Sequence, residues 1–149
     1  MTAMLVLAAL GLLPFLFGGV MDACMTAHPE TLPPFLPIGL ATLILWFLLS
    51  FAACRFVRGI GRVVIPLNLP ALAVLVLIGV QTLRGSFWMN AAGVWTQLFY
   101  LPLIHMGGLV TRWSGSMFPA FCACFLMMLA ASCLGGKAGE KLLYSTAER

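Results

Sequence analysis

Charge is what this sequence lacks. Only 8% of its 149 residues are Asp, Glu, Lys or Arg, against about 25% in a soluble domain. A water-facing surface needs more than that, so most of the surface must face an apolar medium. Acids are the scarcer sign, limited to Asp22, Glu30, Glu140 and Glu148. Of these, only Asp22 borders the first long apolar run, so paired-carboxylate chemistry would have to recruit Glu30 from the following loop. The basic residues leave a net charge of +4 and are scattered along the chain. They form no basic stripe, which excludes a nucleic-acid partner.

Chemical motifs are missing too. The sequence has no H-E-x-x-H and no C-x-x-C, so it offers neither a zinc-protease pair nor a dithiol. The five cysteines, Cys24, Cys54, Cys122, Cys124 and Cys133, are odd in number and sit mostly in apolar runs. They read as small buried hydrophobes. Cys122 and Cys124, two apart on a helix, point about 200° from one another. No cofactor is expected, and no metal is assigned.

What the chain has instead is hydrocarbon. It is 62% hydrophobic, with a mean hydropathy of +1.09. Five windows carry no charge: 1–21, 31–54, 63–83, 85–111 and 113–136. A helix of about 20 apolar residues crosses the roughly 30 Å core of a bilayer. The expected fold is an all-α polytopic transmembrane bundle in one domain. Four spans are expected, at about 3–21, 37–54, 66–83 and 117–136, followed by a charged tail, 137–149. The remaining window, 88–111, is either a fifth span or an interfacial or re-entrant broken helix. It mixes Asn90, Trp95, Gln97, Tyr100, Pro102, His105 and two adjacent glycines into its apolar residues. Trp88 and Trp95 suit the headgroup belt.

Local signals refine the bounds. Pro14 in the first span predicts a kink. No Lys or Arg precedes that span, so it is expected to be a retained helix and not a signal peptide. Segment 22–37 holds four prolines and reads as a loop. Thr42 and Ser50 can bond back to carbonyls of their own helix. Asn68 reads as the cap of the third span, with Pro70 in its first turn. Gly135 and Gly136 read as the end of the last.

Loop charge weighs the number of spans. Arg55, Arg58 and Arg62 lie in one short loop, which marks that loop, and hence the N-terminus, as cytoplasmic. With five spans the basic residues divide evenly between the two sides. With four, Lys137, Lys141 and Arg149 join the three loop arginines, against Arg84 and Arg112 outside. The positive-inside rule therefore leans to four. The expected location is a bacterial cytoplasmic membrane.

Three sets of residues are candidates for function. Ala120, Cys124, Ala131 and Gly135 place small side chains at helical spacing, a face that lets another helix approach closely. The expected role is therefore a non-enzymatic helix-packing subunit or accessory protein. Its expected partners are the lipid bilayer and either a second copy or a larger membrane protein. Gln97, Tyr100 and His105 form the second set, a polar path for a small-solute transporter or channel. Asp22, Cys24, His28 and Glu30 form the third, an outer-loop cluster that a membrane-embedded enzyme would use.

Overall fold

The computed structural model describes residues 2–85 and 91–147. Trp88 and Asn90 at the start of the doubtful window, and Glu148 and Arg149 at the end of the tail, lie outside the described residues. The chain is 82% helix, and the described residues form no strand. Six helices follow one another: α1 Thr2–Leu10, α2 Leu13–Ala27, α3 Phe35–Ala53, α4 Ile60–Leu83, α5 Ala91–Val110 and α6 Phe118–Ala147. Four stretches are long and apolar enough to cross a membrane: Thr2–Ala27, Phe35–Ala53, Ile60–Leu83 and Phe118–Leu143. The architecture is thus a helical bundle with four candidate membrane-spanning helices.

The first span is broken, not merely kinked. Pro14 has no N–H to offer the carbonyl of Leu10, and it sits instead in the first turn of α2, where that N–H would be unused anyway. Gly11 and Leu12 make the turn, with Leu12 N–H donating to the Ala9 carbonyl at 3.0 Å. The break lets the two halves follow different neighbours. α1 packs on α4, and α2 packs on α5. α2 then runs past Asp22 to Ala27, so the loop begins at His28 and not at 22. Thr26 Oγ1 supports the extension by donating to the Asp22 carbonyl at 2.9 Å, and Pro29 prevents further helix.

α4 corrects the third span most. It starts at Ile60, not near Pro66, and both Pro66 and Pro70 lie inside it. Each proline deprives the carbonyl four residues earlier, of Arg62 and of Pro66, of its partner. An interior proline costs about 3 kcal/mol in a water-exposed helix, but packed neighbours offset it in a membrane bundle. Asn68 is therefore not a cap. It is buried in mid-helix at 4% exposure. Gly59 turns the chain into α4 with φ +99°, a value that glycine tolerates best.

α6 also outruns its expected end. It continues through Gly135, Gly136 and Gly139 to Ala147, so most of the expected tail is helix. Glycine weakens an isolated helix by about 1 kcal/mol relative to alanine. Here the glycines let backbone meet backbone. A Cβ on Gly135 would run into the Phe47 carbonyl of α3, and one on Gly139 would lie 2.7 Å from the Phe51 carbonyl.

The cross-contacts set the directions. Phe47 and Phe51 of α3 meet Gly135 and Gly139 of α6 in the same order, so α3 and α6 are parallel. Ile60, Asn68 and Gly79 of α4 meet Glu140, Ser132 and Phe118 of α6 in reverse order, so α4 is antiparallel to both. The N-terminus joins the same end as the arginine turn, because Leu7 of α1 clusters with Cys54 and Val63.

α5 is one continuous helix with Pro102 inside it; the doubtful window does not contain a broken helix among its described residues. Its start lies at the end of α4, where Thr96 Oγ1 approaches Gln81 Oε1 at 3.5 Å. Its end lies at the beginnings of α6 and α3. Gly107 abuts the Ala120 carbonyl and Cys124 Sγ, and Gly39 abuts Met106 and the Pro102 carbonyl. Both ends of α5 are therefore at the end of the bundle away from the arginines. It lies across that half and does not traverse the bundle. Among the described residues four stretches run the length of the bundle, and the start of α1 and the end of α6 lie at the arginine end.

Candidate functional site

The most concentrated chemistry lies where α3, α4 and α6 meet. Burial of Asn68 in a helix of apolar neighbours would cost several kcal/mol if its amide were unpaired. It is fully used. Nδ2 donates to the Val64 carbonyl at 2.9 Å and to Ser132 Oγ at 2.8 Å. Oδ1 accepts from Trp46 Nε1 at 3.3 Å. Trp46 and Ser132 are both 0% exposed. Ser132 Oγ donates its own hydrogen bond to the Leu129 carbonyl at 2.9 Å.

The lock extends along the parallel α3–α6 seam toward the arginine end. Ser50 Oγ donates across to the Ser132 carbonyl at 2.7 Å. It does not bond back to its own helix as expected, whereas Thr42 does, to the Ile38 carbonyl at 2.9 Å. One turn further, Cys54 Sγ donates to the Gly136 carbonyl at 3.5 Å. Burial, and then the nearby Glu140 carboxylate, push the Cys54 thiol above its ordinary pKa. It stays a protonated donor. Glu140 itself closes the seam, with its Oε1 accepting from the Ile60 N–H at 3.0 Å. That bond satisfies a free N–H at the start of α4 with an anion, the favoured partner for that helix end.

A second polar group fixes α5. Tyr100 Oη donates to the Ala71 carbonyl at 2.7 Å, and its ring meets Phe99 and Phe121 at centroid distances of 5.0 and 5.9 Å. Across the described residues, every buried side-chain nitrogen and oxygen has a hydrogen-bond partner. The arrangement holds helices together, and it leaves no buried polar atom aimed at a solute.

The expected sets are distributed differently. Tyr100 is buried, Gln97 is half-buried, and His105 is exposed with its ring stacked on Phe35 at 6.1 Å. These three do not converge. Asp22 and Cys24 are exposed on α2, while His28 and Glu30 are exposed beyond its end. Among the described residues no three His, Cys, Asp or Glu side chains come together to hold a metal. The small-residue face divides between two partners inside the chain. Ala120 and Cys124 receive Gly107 of α5, and Gly135 receives Phe47 of α3. Ala131 is half-buried beside the core.

The lock residues Trp46, Ser50, Asn68, Ser132 and Glu140 were not among the sequence candidates. Two signals point to them. Trp46 stands at the centre of an apolar window, where an indole N–H has no water and needs a partner. Asn68 stands between two prolines, where helix carbonyls are already short of donors.

No protein-family model, curated protein or solved structure matches this chain.

Proposed function

We propose that this chain is a non-enzymatic integral membrane protein, a helix-packing subunit whose polar residues serve assembly of its own bundle. The observation that carries this reading is the complete pairing of buried polar side chains. A transporter needs polar groups that exchange partners with a solute. An enzyme needs reactive groups within reach of one another. The Asn68 cluster instead joins three helices, and its partners are tryptophan, serine and backbone. Because the small-residue face is used within the chain, a larger partner must meet the outward apolar faces, such as those carrying Ile44 and Leu48.

The proposed location is a bacterial cytoplasmic membrane, with the arginine end inside. Arg55, Arg58, Arg62, Lys137 and Lys141 gather at that end, while Arg84 and Arg112 lie toward the other. The positive-inside rule favours this orientation. Both termini are then cytoplasmic. A green fluorescent protein fused to the C-terminus should fluoresce, and an alkaline phosphatase fusion there should be inactive. An active phosphatase would refute the orientation. A subunit should also migrate in native gels, from mild detergent, at a mass above that of one chain. Migration as a single chain would count against the subunit role.

A further inference from the structure

We propose that the groove between α1 and α4 at the arginine end is a binding site for an anionic phospholipid. The inference rests on membrane embedding, but not on which side the arginines face. The groove has a volume of about 440 Å³ and is lined by Met4, Leu5 and Ala8 of α1 and by Arg62, Ile65 and Leu69 of α4. Leu5 and Ile65 are 65% and 68% exposed, so the walls are open to an acyl chain from the side. α1 and α4 stay in contact along this stretch: a Cβ on Gly11 would lie 2.5 Å from the Leu67 carbonyl of α4, and Leu7 packs with Val63 nearer the arginines. The groove is the outward furrow between them.

Charge selects the headgroup. Arg62 lines the groove, and Arg55 and Arg58 are exposed on the adjoining turn. Arg55 rests over the Phe51 ring at 5.6 Å. Among the described residues, none of the three is paired with a carboxylate; Glu140, a described acid at this end, bonds to the Ile60 N–H. Guanidinium matches phosphate oxygens in a fork of N–H donors. An apolar slot with Arg62 among its lining residues, next to a turn that carries two more arginines, suits a lipid tail whose head is negatively charged. A zwitterionic lipid fills the slot equally well but brings an ammonium to the arginines.

The test is native mass spectrometry of the full chain in detergent, titrated with phosphatidylglycerol or phosphatidylcholine of matched chains. Wild type should retain phosphatidylglycerol preferentially, and free glycerol 3-phosphate should not displace it. Arg62→Gln should weaken phosphatidylglycerol about fivefold, the worth of one basic residue at an anionic surface, while Arg62→Lys keeps most of the preference. Ala8→Trp, which fills the groove from an outward face, should weaken both lipids. Arg84→Gln, at the other end, should change neither. Equal retention of the two lipids by wild type would overturn the proposal. So would equal losses for Arg62→Gln and Arg84→Gln, or displacement by glycerol 3-phosphate, which would mean a headgroup site without the groove. If the chain failed to insert in membranes at all, fractionation would show it before any titration, and the failure would belong to the membrane reading.

Discussion

Replacing Asn68 with alanine tests the central lock. The side chain makes two bonds to other helices, to Trp46 on α3 and Ser132 on α6. Interhelical hydrogen bonds in membrane bundles are worth about 0.6 kcal/mol on average and up to about 1.7. Two such bonds therefore give roughly 1–3 kcal/mol. Alanine also leaves the Trp46 N–H buried and unpaired, since Trp46 is 0% exposed, and an orphaned buried donor costs about 1–3 kcal/mol. The expected loss for Asn68→Ala is about 2–4 kcal/mol, measured as reversible unfolding in mixed micelles with a helix signal as readout. The double-mutant cycle is sharper. Trp46→Phe removes the donor, so Asn68→Ala in that background should cost about 1 kcal/mol less than in wild type. Strict additivity, or a loss under about 0.5 kcal/mol for Asn68→Ala, would show that the amide is a passenger and not a lock.

Two further perturbations follow from the seam. Gly135→Ala forces a methyl against the Phe47 carbonyl and should cost about 1–3 kcal/mol in the same assay, whereas Gly108→Ala meets nothing within 4 Å and should be neutral or stabilising by up to about 1 kcal/mol; equal effects would deny the close approach of α3 and α6. Glu140→Ala removes the acceptor for the Ile60 N–H and should cost about 1 kcal/mol, as loss of a helix cap does, with Glu140→Gln recovering most of it; amide exchange at Ile60 that is unchanged in Glu140→Ala would refute the contact.

The correspondence between sequence and structure divides along physical lines. Composition and charge spacing determined the solvent and the helix class. An 8% charge content cannot clothe a water-soluble fold, and apolar runs of about 20 residues admit only helices in lipid. Loop charge pointed to four crossings before any contact was known, because excess basic residues accumulate on one side. Helix bounds failed where local propensity and packing disagree. Pro66 and Pro70 read as a helix start, and Gly135 and Gly136 as a helix stop, because in water those residues break helices. In the bundle they sit mid-helix, where neighbours supply bonds or where close backbones need them.

The site was less legible, and for a related reason. Sequence can show that Trp46, Asn68 and Ser132 are polar groups in apolar runs, but not that they meet. Their separations are 22 and 64 residues, and only the parallel seam of α3 on α6, with α4 running against both, brings them within bonding distance. Gln97, Tyr100 and His105 show the opposite relation. They are close in sequence, yet a helix turns successive residues to different faces, so one is sealed against Ala71 and another faces outward. The sequence by itself determined that this chain lives in a membrane as helices and which end carries its positive charge. The tertiary structure alone decided that α5 lies across the bundle and that the polar residues close on one another, because both depend on which helices touch, and in which direction they run.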